Sequence, residues 1–441
     1  MSPASGGAGE HRDNGLTRSI GALGLGLAVF NMVVGAGIFV LPAALARDVG
    51  AAAPFAYLAC MLAMSGVVLC FAAASSRVAS SGGPYGFVEA AMGPLAGFLV
   101  GVLVWLGSVL AAGGIAAAAV DSLALVAPML GHFAARTAVI LMLFGALAAF
   151  NIAGAQQGTR LIGVLTFVKL LPIILFLGVG AAHIDAANLA PVWPKPQAFG
   201  RAVLLAMFAF QGLEGALGVS GEVREPARNI PLGLLGAMAF IALLYLAIQF
   251  VAQGVLGSAL GASKAPLADA LRGVSPVLAG ILVVGATASM LGYLAGDTLS
   301  APRVLFAFAR DGFLPSAAGR LHGKTKAPMA AILIHVSIAA VLAITGSFVE
   351  LAVLSTLAIL GVYLLGCVAA VVLQERGVAR AGPPLQLPFL KAAALVGVVG
   401  MGWVVMHASG EEAIGFAIAV GLSLIWYGLV RRRTSPLVNG G

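Results

Sequence analysis

The stretch Val34-Gly35-Ala36-Gly37-Ile38-Phe39 interrupts an apolar run that begins near residue 19. Glycine destabilises a helix interior, so this stretch favours irregular backbone. At membrane depth, such backbone is tolerated only where it is buried in protein or lines a cavity, because lipid offers no hydrogen bonds to free amides. Many secondary transporters hold an anionic substrate group at a broken membrane helix of this kind. The stretch therefore predicts a polytopic membrane protein with a cavity at mid-depth.

The composition agrees with a membrane location. Of the 441 residues, 61% are hydrophobic and 9% are charged, whereas soluble proteins have about 25% charged residues. Apolar runs recur at about the 20-residue length needed to cross a bilayer. We predict an all-α fold with twelve transmembrane helices, at residues 19–45, 52–74, 95–120, 136–154, 160–182, 200–222, 232–254, 276–308, 327–346, 350–373, 388–407 and 412–430.

Basic residues are distributed unevenly between the predicted loops. With a cytoplasmic N terminus, 17 of the 24 Lys and Arg fall in cytoplasmic segments, six fall outside and Lys169 lies within a span. This asymmetry follows the positive-inside rule and places both termini in the cytoplasm. The net charge of +8 is thereby explained by topology and not by nucleic-acid binding. A polar start without a separate cleavable apolar segment predicts that there is no signal peptide. The short predicted termini and loops favour location of the protein in a bacterial inner membrane.

A second interruption predicts an internal repeat. The sixth span reads Phe208-Ala209-Phe210-Gln211-Gly212-Leu213-Glu214-Gly215, and it starts about 181 residues after the first span. Paired interruptions of this kind indicate an inverted repeat with a site between its halves. We predict a five-plus-five transporter core at 19–373, with repeats at about 19–183 and 200–373. The predicted remainder comprises tails at 1–18 and 431–441 and two additional helices within 388–430.

Motifs for other chemistry are absent from the sequence. No Walker A, HExxH or CxxC pattern occurs, and no Ser-His-Asp or paired-carboxylate arrangement suggests hydrolysis. We expect no enzyme activity, no cofactor and no metal. Cys60, Cys70 and Cys367 lie in apolar runs and are interpreted as packing residues.

Among the ionisable residues of the predicted spans, three stand out, because charge in mid-membrane is costly and by default indicates function. Lys169, about ten residues into the fifth span, either provides a fixed charge where another transporter would bind sodium or carries a proton. Glu214 follows the sixth-span interruption and has three open roles: to bind loose amides, to attract an ammonium group or to take up a proton. Asp297 either pairs with a cation in the bundle or lies towards the cytoplasm. Asp297 and nearby Tyr293 are possible site residues.

Other candidate site residues flank the two interruptions. Asn31 precedes Gly35 by four residues and is predicted to face the cavity. Phe208 and Phe210 either pack in the core or, in the case of Phe208, cover the substrate as a thin gate.

Five segments together resemble the amino acid–polyamine–organocation (APC) superfamily of secondary transporters. Their order and spacing over residues 19–330 carry the resemblance. The segments are Gly35-Ala36-Gly37-Ile38-Phe39 with Leu41-Pro42, Ser81-Gly82-Gly83-Pro84-Tyr85, the surroundings of Lys169, Phe210-Gln211-Gly212-Leu213-Glu214 with Gly221 to Pro231, and Ser300-Ala301-Pro302-Arg303 through Pro315.

The resemblance implies alternating access and assigns residue roles. Gly35, Ala36 and Gly37 would hold a substrate carboxylate, and carbonyls near Phe208, Ala209 and Phe210 would receive the amino group. Lys169 would replace sodium, Glu214 would take part in proton-dependent gating, and Phe208 stands where relatives often have a gating Trp. The apolar half-helix from Val203 to Phe210 favours a small or medium neutral amino acid.

We therefore expect a sodium-independent amino acid transporter, driven by protons or by exchange. The alternative of the same fold is a polyamine or cationic amino acid carrier, in which Glu214 and Asp297 hold two amines. An amino acid-gated channel or sensor is the other alternative. Membrane lipid, substrate and protons are the expected partners.

Overall fold

The computed structural model describes residues 18–79, 82–125, 127–153 and 169–434. Within these ranges the secondary structure is helical, apart from one isolated bridge between Ile20 and Val223. Eight helical stretches of the described chain are long and apolar enough to cross a membrane, and four shorter apolar helices accompany them. The protein is a polytopic membrane protein with an all-helical fold.

The helices are numbered in chain order. Their bounds are α1 Ala22–Val33, α2 Gly37–Val49, α3 Ala53–Arg77, α4 Pro84–Met92, α5 Pro94–Ala124, α6 Phe133–Ala153, α7 Lys169–Ala181, α8 Pro196–Met207, α9 Leu213–Ala216, α10 Pro226–Leu256, α11 Pro266–Arg272, α12 Pro276–Ser300, α13 Pro302–Arg310, α14 Met329–Thr345, α15 Phe348–Glu375, α16 Leu390–Val405 and α17 Gly410–Thr434.

The first predicted span consists of two helices. Helix α1 ends at Val33, and Val34 leaves the helical conformation with φ −81° and ψ 83°. Helix α2 then begins at Gly37. Residues 34–36 are named the first break; they lie where the glycine-containing stretch predicted irregular backbone.

The sixth predicted span is also divided. Helix α8 ends at Met207, and the short 3-10 helix Phe208–Phe210 leads to Gln211 in an extended conformation. Gly212 has φ +114°, in the left-handed region that favours glycine, and α9 follows it. Residues 208–212 are named the second break.

The predicted eighth span, 276–308, contains a helix boundary in the structure. It forms two helices, α12 and α13, which meet at Ala301 and Pro302. Proline has no amide hydrogen for the helical hydrogen-bond ladder and so favours a new helix start. Together, Pro276–Arg310 still form one stretch that is long and apolar enough to cross the membrane, in agreement with the predicted span.

Two other predictions fall partly outside the described residues. After the second span, Pro84 begins the short helix α4, which ends at Met92. Ser80 and Ser81 of the preceding turn lie outside the described residues, as do the tail 1–17, residues 154–168 of the fifth span and its approach, and residues 435–441.

The centre of the molecule is built from α3, α5, α10 and α15. Helix α15 packs against both α3 and α5, α10 packs against α1 and α3, and α16 lies against α3. Cys60, Cys70 and Cys367 are buried within this core as free thiols. This scaffold surrounds the two breaks, and by contrast α17 exposes most of its apolar side chains.

Candidate functional site

A cavity lies between the two breaks. The first break contributes Gly35 and Ala36, and the second contributes Phe208 and Gln211. The rest of the lining comes from Met32, Val33, Gly37, Gly107, Ser108, Ala111, Ile115, Glu214, Tyr293 and Ile359. The structure thus brings together, at one cavity, residues that are about 175 positions apart in the chain.

The second break lies close to the residues that flank the first break. A Cβ atom placed on Gly37 would lie 3.3 Å from the Cα atom of Ala209. A Cβ atom on Gly212 would lie 2.4 Å from the carbonyl oxygen of Met32. At Gly212 any Cβ atom would overlap with backbone, so glycine at this position permits the close approach of the second break to α1.

Free amides at the first break point to an anion site. Within the described ranges, no acceptor takes the amide hydrogens of Ala36, Gly37 and Ile38. These amides form the N terminus of the 13-residue helix α2. A helix N terminus carries partial positive charge and binds carboxylates and phosphates. Because Ala36 and Gly37 line the cavity, the charge is presented to whatever occupies it.

The carbonyl groups of the first break are bound by three other helices. Tyr245 of α10 donates to the carbonyl of Val33 at 3.1 Å. Ser289 of α12 donates to the carbonyl of Gly35 at 3.1 Å and lies 3.3 Å from that of Val34. Buried carbonyls that lost their helical partners are thereby satisfied, as the low dielectric of the interior requires.

Lys169 of α7 is the third donor to these carbonyls. Among the described residues it is the only charged one. Its Nζ atom donates to the carbonyls of Val34 at 2.8 Å and Asn31 at 3.1 Å, and to Asn31 Oδ1 at 3.0 Å. The ammonium also lies 5.3 Å from the ring centre of Phe30, within cation–π range. Lys169 is fully buried. A lysine held by carbonyl and amide oxygens occupies the kind of site in which a hard cation would be bound.

Asn31 occupies a different position from the one expected. It was predicted to face the cavity, but its side chain binds Lys169 and it is not among the cavity-lining residues. The polar group on α1 therefore orients the buried lysine, because a lysine with three donors needs several acceptors when water is excluded.

Glu214 is held on both oxygens beside the second break. Its Oε1 atom accepts from the amide of Gly212 at 2.9 Å, and its Oε2 atom accepts from the Tyr363 hydroxyl at 2.9 Å. Among the described residues, the carbonyls of Ala209 and Phe210 accept no hydrogen bond. The second break thus presents backbone acceptors, which complement the donors of the first.

The aromatic residues of the second break differ in position. Phe208 lines the cavity and packs edge-on against Phe348 of α15, with ring centres 5.4 Å apart. Phe210 points away from the cavity and packs against Tyr57 and Tyr245. Of the two, Phe208 is the ring that lines the cavity.

The possible site residues on α12 separate into two groups. Tyr293 lines the cavity and lies 3.3 Å from the Cβ position of Gly35. Asp297 is fully buried and bonded to His335 of α14, at 2.8 Å, and it does not line the cavity. Asp297 thus contacts a residue of another helix in the bundle.

Several residues of the site were not predicted. Tyr245, Ser289 and Tyr363 are hydroxyl residues within long apolar helices, where such residues are common and carry no distinguishing pattern. His335 had a detectable signal, because an ionisable residue within a predicted span indicates function by default.

Comparison with known proteins identifies the family. The amino acid permease family matches residues 20–427. Over 452 residues the chain is 26% identical to a methylthioribose transporter of Bacillus subtilis (strain 168), covering 97% of this chain and 96% of the relative. It is 27% identical to the branched-chain amino acid permease BcaP of the same organism, covering 96% and 95% of the two chains. It is 27% identical to the serine/threonine exchanger SteT, also of B. subtilis, covering 96% and 99%.

These matches extend over nearly the whole length of each chain, including both breaks and all helices described above. The family consists of membrane transporters and not of enzymes, in agreement with the expectations from sequence. The chain belongs to the amino acid permease family of the APC superfamily.

Proposed function

We propose that this protein is a sodium-independent secondary transporter that moves small or medium-sized neutral amino acids by alternating access. The observation that carries the proposal is the buried Lys169 ammonium bound to the carbonyls of the first break. The Lys169 Nζ at this point occupies carbonyl and amide oxygens that a sodium ion would need. Transport would then depend on protons or on exchange for a second substrate.

The two breaks would bind the two ends of a zwitterion. The free amides of Ala36, Gly37 and Ile38 suit a carboxylate, together with Gly35 beside them. The free carbonyls of Ala209 and Phe210 suit an ammonium group, next to Phe208. Both ends of the amino acid would be satisfied on leaving water, which is the condition for burying a charged group without a large penalty.

The cavity lining supports a neutral side chain. Ala111 and Ile115 of α5 and Ile359 of α15 provide an apolar wall opposite the breaks. The similar proteins BcaP and SteT carry names that refer to neutral amino acids, and the third relative is named for methylthioribose. Two of these three names therefore support a neutral amino acid as the substrate.

The polyamine or cationic alternative requires two carboxylates in the cavity. Glu214 is at the cavity, but Asp297 is bonded to His335 outside the lining. Both oxygens of the Glu214 carboxylate already accept hydrogen bonds, whereas the carbonyls of Ala209 and Phe210 are free within the described part of the chain. The carbonyls are therefore better placed than Glu214 to bind an ammonium group. We therefore favour the neutral amino acid and assign Glu214 to proton-dependent gating.

The proposed architecture is a five-plus-five inverted repeat at about 19–183 and 200–373, with α16 and α17 as additional helices. Six pairs of spans would place both termini in the cytoplasm of a bacterial cell. The paired breaks support this arrangement, because both occur in the first helix of their half.

Replacing Phe208 by alanine is expected to raise the apparent KM for substrate by roughly tenfold and to leave maximal exchange measurable. The ring would no longer cover the cavity or pack against Phe348, and such a loss costs about 1.4 kcal/mol per tenfold change in affinity. Counterflow of labelled substrate in proteoliposomes measures the change. A KM equal to that of the unmodified protein would show that Phe208 has no gating contact with substrate.

The proposed function is tested by uptake into proteoliposomes of labelled neutral, cationic and acidic amino acids and of putrescine. Each uptake is measured with and without an inward proton gradient, with sodium replaced by choline, and with and without internal substrate. Saturable, sodium-independent uptake of a neutral amino acid is expected. Uptake of putrescine alone would favour the polyamine alternative, and a conductance that does not saturate would favour a channel.

A further inference from the structure

Asp297 and His335 form a pair buried outside the substrate cavity. Both residues are fully buried, and His335 Nε2 lies 2.8 Å from Asp297 Oδ2. Asp297 comes from α12 and His335 from α14, so the pair joins two helices. The contacts of the proposed transport site described above do not include it.

Each residue of the pair has one polar atom without a partner. Among the described residues, Asp297 Oδ1 and His335 Nδ1 are buried and make no hydrogen bond. A buried carboxylate with one neutral partner would leave an uncompensated negative charge, which is costly in a medium of low dielectric. One proton added to the pair removes the net charge, either as an ion pair or as a neutral acid beside a neutral imidazole. The geometry thus favours a pair that holds one proton.

Helix α12 connects this pair to the substrate cavity. Ser289, Tyr293 and Asp297 follow each other at intervals of four residues, about one helical turn each. Ser289 binds the first break, and Tyr293 lines the cavity against Gly35. Tyr293 also lies within electrostatic range of both Glu214 and Asp297. A change of charge at the pair is therefore felt by a cavity residue one turn away.

Other titratable groups on the neighbouring helices are engaged elsewhere. Asp121 of α5 and Arg136 of α6 pair at 3.3 Å, and Arg136 also binds the carbonyl of Ala343, eight residues along α14 from His335. Arg310 of α13 pairs with Asp311. The remaining groups on the packed elements are Arg303 of α13, which is exposed, Lys169 of α7 at the first break, and the Asp269–Arg272 pair of α11.

We propose that Asp297 and His335 together form a proton-binding site that gains or loses one proton as the cavity binds substrate. The ligand is a hydrogen ion taken from water and returned to water, with no other bond formed or broken. Tyr293 transmits the change between the pair and the breaks. This inference rests on the proposed function, since it needs a substrate that occupies the cavity.

The test measures protons exchanged on substrate binding by titration calorimetry of the purified full-length protein. The probe is the neutral amino acid that uptake assays identify, titrated in two buffers of different ionisation enthalpy. The unmodified protein is expected to exchange a non-zero number of protons. Asp297→Asn keeps an acceptor for the imidazole but cannot bind a proton, and His335→Gln removes the imidazole. Both are expected to lower the number of protons exchanged to near zero while substrate still binds.

Matched controls change the same residue types away from the pair. Asp121→Asn and His407→Gln alter an exposed carboxylate and a half-buried imidazole away from the pair, and both variants are expected to exchange protons as the unmodified protein does. The reciprocal exchange D297H with H335D restores the pair with its partners reversed and is expected to recover the proton exchange if a single variant fails to fold.

Three results would overturn the inference. Binding of a neutral amino acid by the unmodified protein without proton exchange would contradict it and leave the transport proposal intact. Unchanged proton exchange in both single variants would show that the pair only joins α12 to α14. Binding of no amino acid at all would overturn the transport proposal and this inference together.

Discussion

Uptake of substrate is expected to fall roughly 100-fold when Lys169 is replaced by methionine. The change removes three hydrogen bonds from a charged donor to Asn31 and Val34, and hydrogen bonds of this kind contribute about 1.5–3 kcal/mol each. The carbonyls at the first break would be left buried without their cation. Because 2.7 kcal/mol corresponds to a factor of about 100, loss of a single such bond accounts for the expected effect.

A matched control separates this effect from the general loss of a lysine. Lys391 is exposed and pairs with Glu375 on the protein surface, and surface pairs contribute about 0–1 kcal/mol. Lys391→Met is therefore expected to leave uptake nearly unchanged. Initial rates in proteoliposomes, normalised to the amount of inserted protein, make the comparison. If the Lys169→Met variant took up substrate at the rate of the unmodified protein and with the same pH dependence, the proposed role of Lys169 at the first break would be contradicted.

Gly212→Ala is expected to reduce uptake by at least roughly 30-fold and to lower thermal stability. Its backbone has φ +114°, where a residue with a Cβ atom is strained, at a cost of about 1–3 kcal/mol. The added Cβ atom would also lie 2.4 Å from the carbonyl oxygen of Met32. Relieving that overlap would move the second break away from the first. The larger distance between the breaks would disrupt a binding site that is built from both.

Gly236→Ala is the control for this substitution. Gly236 lies within α10, and a Cβ atom there would meet nothing within 4 Å. Alanine is expected to be tolerated, since it is a better helix former than glycine. Melting curves in detergent and initial uptake rates are measured for both variants. Equal behaviour of the two would mean that close contact between the breaks is not required.

Local sequence predicted the helices and the positions of the breaks because both follow from short-range chemistry. Long apolar runs must form helices in lipid, and clustered glycines near residues 35 and 212 favour irregular backbone. The helix boundary at Pro302 could have been predicted by the same reasoning, because proline lacks a backbone donor. It was not predicted because the residues on both sides of Pro302 belong to one apolar run.

Contacts between distant helices were beyond local reasoning. The orientation of Asn31 towards Lys169 depends on how α1 packs against α7, and the donors Tyr245 and Ser289 depend on the positions of α10 and α12. The pairing of Asp297 with His335 likewise joins residues 38 positions apart. Residue spacing along one helix gives the face on which a side chain lies, but not which partner meets it.

The central claim is that the two breaks bind the two ends of one zwitterion. It is tested most directly by competition in the uptake assay, using the preferred amino acid, its carboxamide and its N-acetyl derivative. The account predicts that the amino acid competes fully, whereas the carboxamide and the N-acetyl derivative each compete at least roughly tenfold more weakly, equivalent to 1.4 kcal/mol. Equal competition by the carboxamide would contradict binding of a carboxylate at Ala36 and Gly37, and equal competition by the N-acetyl derivative would contradict binding of the ammonium at Ala209 and Phe210.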